Sequence, residues 1–99
     1  MEIKVQSIHF DADKKLVDFI NEKVSKLGNM HEHITNSNVF LRLDKNETGD
    51  NKIAEIKVKV PGKELFAKRQ CKTFEEAVDL SVEALRTQIQ KYKGKLINR

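Results

Sequence analysis

Hydrophobic positions along the chain fall into two periods. In EIKVQSIH, residues 2–9, Ile3 and Val5 alternate with polar neighbours, which predicts a strand with one buried face. The alternation slips at Ser7 and Ile8, where a bulge or the strand end is expected. The period then changes in DADKKLVDFINEKVSKLG. Leu16, Phe19, Ile20, Val24 and Leu27 recur at steps of three or four, the stripe of an amphipathic helix. Asp11 or Asp13 is placed to cap it and Gly28 to end it. Alternation returns in SNVFLRL, IAEIKVKV and ELFAKRQCK, three strands separated by the polar DKNETGDN and by the turn PGK. One-sided alternation of this kind marks antiparallel strands with one solvated face.

Thr73 and Glu76 form a capping-box pattern before a second stripe of Phe74, Ala77, Val78, Ser81, Val82, Leu85, Ile89 and Tyr92. This last helix is expected to be roughly 30 Å long and to overhang the sheet at its C-terminal end. The predicted fold is α+β, in the order β-α-β-β-β-α, with both helices on one face of a four-stranded sheet. The 99 residues are read as a single binding domain over 1–99.

Charge adds something the pattern does not contain. Residues 84–99 hold Arg86, Lys91, Lys93, Lys95 and Arg99 and no acid, whereas the rest of the chain carries fourteen basic and fifteen acidic residues. The whole net charge of +4 therefore comes from the C-terminal turns. A helix dipole accounts for one or two of these cations. It does not account for a run that continues past Gly94, and an anionic partner, nucleic acid first, is the more economical explanation. Lys23 and Lys26 on the first helix are placed to extend the same patch. On a regular helix Lys91 and Lys95 share a face while Lys93 points elsewhere, unless Gly94 breaks the helix. Lys57, Lys59, Lys68 and Lys72, with Arg42 and Gln70, decorate the solvated sheet face, where solubility and edge protection suffice as reasons. Phe40 and Phe66 fall on that face too and open a stacking role there.

Other chemistries find little support. His31 and His33, with His9 or Cys71, lack the spacing of a metal site, so no metal and no cofactor is expected. No phosphate-binding glycine loop or nucleophile elbow is present, and Glu75, Glu76, Asp79 and Glu83 serve a helix start. The chain reads as a binding module and not an enzyme. One cysteine, no membrane-length apolar run and no signal-peptide pattern make the cytoplasm the expected location, with no membrane partner.

FINEKVSKL in the first helix and KTFEEAVDLSVEALRTQIQKYKGKL at the end resemble the ribosome hibernation promoting factor family, also called ribosome-associated inhibitor or sigma-54 modulation proteins. Positions that carry the match include Ala77, Val78, Asp79, Leu85, Gln88, Ile89, Lys91, Lys93, Lys95 and Leu96. The resemblance implies a fold similar to a double-stranded RNA-binding domain with an added first strand. It implies binding to the small ribosomal subunit and its 16S rRNA at the subunit interface, over the mRNA and tRNA sites, to inhibit translation in stationary phase or stress. Carried over by position, the RNA-facing residues are Lys23, Lys26, Lys91, Lys93 and Lys95, with Arg86 counted beside them although it falls off the family's register. The short class is implied: a monomer without the C-terminal ribosome-pairing domain, for which a second factor in ribosome dimerisation is a further candidate partner. An ordinary duplex-binding domain would carry lysines where this chain has Glu75 and Glu76. The alternative from another class is a protein-interaction module that modulates sigma-54 transcription.

Overall fold

The computed structural model describes residues 1–45 and 49–97, so Arg99 and the centre of the 44–51 loop, residues 46–48, lie outside the described residues. The order of elements is β1 (Glu2–Ser7), α1 (Lys14–Gly28), β2 (Asn36–Leu43), β3 (Lys52–Val60), β4 (Lys63–Cys71) and α2 (Phe74–Ile97). The expected order β-α-β-β-β-α is thus the observed one. The strands form one sheet in the order β1-β2-β3-β4. The β2–β3 and β3–β4 pairings are antiparallel, whereas β1 lies parallel to β2, which makes the sheet mixed.

Register explains the core. Val5 pairs with Val39, Val39 with Ile56 and Ile56 with Ala67, so a single apolar row crosses all four strands on the inner face. Both helices lie on that face. Ile20, Val24 and Leu27 of α1 and Val78, Leu85 and Ile89 of α2 are fully buried in one cluster with Val39, Leu41, Ile56 and Val58. Strand alternation and helical period thus deliver their apolar residues to one layer between sheet and helices.

The helix ends follow their local chemistry. Asp13 is the N-cap of α1, its Oδ1 accepting from the Leu16 N–H at 2.8 Å. Thr73 Oγ1 accepts from the Glu76 N–H at 3.1 Å, the forward half of the capping box. Gly28 does not end α1 in a left-handed cap. Asn29 is the C-cap in a right-handed conformation, and what Gly28 provides is room: a Cβ there would sit 3.1 Å from Met1 Cβ. At the other end of the crossover β1 stops at Ser7, and His9 takes a positive φ of 67°, turning the chain off the sheet toward α1.

α2 runs for 24 residues, straight through Gly94. At about 1.5 Å per residue it is some 36 Å long, in a molecule whose longest dimension is 48 Å. Its far end is fastened by Tyr92. The buried ring puts its hydroxyl 3.0 Å from the Pro61 carbonyl in the β3–β4 turn, which it donates to. The turn itself is made by Gly62 at φ 86°. One edge of Tyr92 meets His31 at 5.7 Å between ring centroids, and Lys63 Nζ lies 5.6 Å from its ring centroid.

Two stability outcomes follow from these contacts. Tyr92→Phe keeps the ring and loses only the bond to Pro61, so urea unfolding is expected to report a loss of about 1 kcal/mol. Ser81 is fully buried on α2 and its hydroxyl has no hydrogen-bond partner among the described residues. Ser81→Ala removes that desolvated group and improves helix propensity, so it is expected to raise stability by about 1 kcal/mol in the same assay. A lowered midpoint would mean that the hydroxyl is bonded after all.

Candidate nucleic-acid interface

Chain direction decides where the cations gather. β4 runs the same way as β1 and β2, because two antiparallel steps separate it from β2. Each helix returns across the sheet after a strand of that direction, so α1 and α2 run parallel. Contacts between them agree. Phe10, just before α1, stacks on Phe74, the first residue of α2, with ring centroids 5.0 Å apart. Further along, Lys23 Nζ lies 3.4 Å from Asp79 Oδ1. Both C-termini consequently sit at one end of the molecule, with Lys26 in the last turn of α1 and Lys95 in the last turn of α2.

The cations on α2 divide between two flanks. Asp79, Arg86 and Lys93 are seven residues apart, a step that moves only about 20° around a regular helix. Since Asp79 touches Lys23, that stripe is the flank facing α1. Lys91 and Lys95 belong to the opposite flank with Gln88, seven residues before Lys95. Gln88 marks it by donating from Nε2 to the Phe66 carbonyl of β4 at 2.8 Å. The structure therefore brings Arg86 and Lys93 to the side of Lys23 and Lys26, and turns Lys91 and Lys95 toward β4 and the turn that carries Lys63.

The groups differ in how committed they are. Lys23 is shared between Asp79 and the face of Phe19, 5.7 Å from its ring centroid. Arg86 reaches Glu83 at 3.9 Å, an exposed pair of little energetic weight. Among the described residues Lys26, Lys91, Lys93 and Lys95 have no carboxylate partner within 4.0 Å. Lys63, His31 and His33 join this end of the molecule, and sequence reasoning missed them as neighbours of the basic turns. No local signal could have found them, because the β3–β4 turn and the loop after α1 meet Tyr92 only through the tertiary fold. His33 donates its backbone N–H to His31 Nδ1 at 3.1 Å, so the pair is tied into the loop.

Cys71 lies away from this surface. Burial pushes its thiol upward, and the nearby carboxylates of Glu76 and Asp50 push the same way. A thiol held neutral is a poor nucleophile and a poor ligand. Among the described residues no helix is long and apolar enough to cross a membrane.

Known structures and sequences bear on this geometry. The fold is similar to a ribosomal subunit interface protein from Coxiella burnetii, with a TM-score of 0.84 and 26% identity, covering 95% of this chain and 99% of that one. It is also similar to the N-terminal domain of Thermus thermophilus Protein Y, with a TM-score of 0.79 and 24% identity over 93% of this chain and 99% of that one. In sequence, the ribosome hibernation promoting factor of Azotobacter vinelandii is 29% identical over 99 residues, spanning 100% of this chain and 89% of that protein. The factor of the same name from Pseudomonas putida is 24% identical over 95 residues, spanning 96% and 89%. The family model described as Sigma 54 modulation protein / S30EA ribosomal protein matches residues 3–97, almost end to end, and the chain belongs to that family.

Proposed function

We propose that the chain acts as one ribosome-binding domain, a hibernation factor that docks on the small subunit through 16S rRNA at the subunit interface. There it covers the mRNA and tRNA sites and inhibits translation in stationary phase or stress. It works in the cytoplasm as a monomer and as a binding protein, not an enzyme; a second factor that pairs ribosomes is a candidate partner. The observation that supports this reading most is the parallel placement of the helices. It gathers Lys26, Arg86 and Lys93 on one side, with Lys91, Lys95 and Lys63 around the same end. An rRNA backbone neutralises such a cluster, and counterions released from the phosphates contribute much of the binding free energy.

Co-sedimentation with purified small subunits at several salt concentrations tests it. Reversing Arg86 and Lys93 together to Glu is expected to weaken binding strongly and to reduce the slope of log affinity against log salt by about 2. The same reversal at Lys57 and Lys59 on the open sheet face is expected to weaken subunit binding less. Equal losses in both double variants would mean that total charge matters and the helical flank is not the site.

Asp79 gives an independent check. It holds Lys23 and is the acid in the Asp79, Arg86, Lys93 stripe. Asp79→Asn releases Lys23 and removes the negative charge, so subunit affinity is expected to rise a few-fold at low salt. Stability should change by less than about 1 kcal/mol, because the pair is partly exposed.

A further inference from the structure

The sheet's open face holds a second arrangement that the helical side does not use. Register places Lys4, Asn38, Lys57 and Phe66 in one row across the four strands, and Gln6, Phe40, Glu55 and Lys68 in the next. Phe66 is 45% exposed. Phe40 is half-buried, with Lys57 Nζ 5.7 Å from its ring centroid. Lys57 thus stands between two rings, in register beside one and over the other.

Elsewhere on the same face the protein covers its apolar surface. Ile53 is only 5% exposed, flanked in register by Arg42 and Gln70. Arg42 is held by Glu55. Gln70 donates from Nε2 to Asp44 Oδ2 at 2.9 Å and to the Asp50 carbonyl at 2.8 Å. Among the described residues no such cover lies over Phe66. Of the acids on this face Glu55 is engaged with Arg42 and Lys68 and Glu2 with Lys4, while Glu64 stands opposite Lys59 in register. Among the described residues Lys57 and Lys59 have no carboxylate partner within 4.0 Å.

We propose that this open face binds unstructured single-stranded RNA, with bases stacked on Phe66 and Phe40, the phosphate between them taken by Lys57 and a flanking phosphate by Lys59. Rings with interleaved ammonium groups are what a sequence-tolerant single-strand surface requires, since every base offers a π-face and every nucleotide a phosphate. Asn38 and Gln6, beside the rings, add amide donors and acceptors for base edges. A protein partner fits less well. Protein interfaces are depleted in lysine and in charged residues at their core, and here the two rings lie in a field of lysines and amides. The phosphate draws Lys57 off Phe40, exchanging a cation–π contact for an ion pair and freeing the ring for a base. This surface is independent of the subunit-binding side, and the two are tested with different ligands.

Fluorescence anisotropy of a labelled oligouridine twelve nucleotides long, titrated with the full chain at near-physiological salt, tests the proposal. Phe66 is exposed, so its substitution is expected to leave the fold intact, with circular dichroism as the check. Phe66→Ala is expected to weaken binding by about tenfold and Phe66→Tyr to preserve it. Lys57→Glu is expected to weaken binding and to lower the salt slope by about 1. Charge reversal of Arg86 and Lys93, on the far side of the sheet, should change oligouridine affinity less than twofold, because charges are screened beyond about 8 Å at that salt. Oligouridine binding that is absent, or unchanged by Phe66→Ala, overturns the proposal. So does a loss carried by Arg86 and Lys93 alone. If Phe66→Ala leaves oligouridine binding unchanged yet lowers ribosome co-sedimentation, the face makes a ribosomal-protein contact and the RNA assignment is wrong.

Discussion

The parallel pairing of β1 with β2 is the constraint on which the rest of the molecule depends. A parallel neighbour cannot be reached by a tight turn, so the chain must cross a face of the sheet, and α1 is that crossing. Two antiparallel steps then return β4 to the direction of β1, and α2 must recross the same face in the direction of α1. Two helices laid side by side in parallel also align their dipoles. Asp13, Glu75 and Glu76 sit at the positive ends, and Lys26 and Lys95 at the negative ends, so the charge pattern offsets the alignment. The gathering of bases at one end is thus a consequence of strand direction before it is anything functional.

That end would be a weak place to hold charges without Tyr92. A helix that runs past its sheet loses the packing that stabilises it, and short isolated helical turns are marginal in water. Tyr92 answers this by burying its ring and bonding the Pro61 carbonyl, so the last turns are tied to the β3–β4 turn. Lys91 and Lys93 flank Tyr92 in sequence and inherit its fixed position. The lysines gain definition from a residue that carries no charge at all.

Much of this was legible in the chain. The strand and helix periods gave the element order, the single inner face and most of the core, because period 2 and period 3.6 are direct images of backbone geometry. The division of the basic run was half legible. That Lys91 and Lys95 share a face while Lys93 points elsewhere follows from helical spacing. That Lys93 joins Arg86 on the α1 side does not, since it requires knowing which flank α1 occupies, and only the Lys23–Asp79 contact settles that. Gly28 marked the right end of α1, but for a different reason. A glycine at a helix end usually supplies a left-handed cap, but here it makes space for Met1, a residue distant in sequence. The neighbourhood of Lys63 and His31 around Tyr92 was invisible, because loops come together only when the sheet and helices are assembled.

The polarity of the helices also limits how this protein can hold an anion. A phosphate at a helix N-terminus meets backbone N–H groups and a favourable dipole. At the C-terminal ends, where these lysines lie, outward carbonyls and the dipole both oppose negative charge. All attraction on the helical side must therefore come from long, exposed ammonium and guanidinium side chains, which act on phosphates at any base and weaken steeply with salt. Such a surface suits the shape of a folded rRNA backbone. The opposite face of the sheet differs in kind, because there an exposed ring, Phe66, stands in register beside a cation, Lys57, with the amides of Asn38 and Gln6 on the same face. On the proposed readings, one sheet thus separates two modes of RNA contact: phosphate shape on the helical side, and unpaired bases on the other.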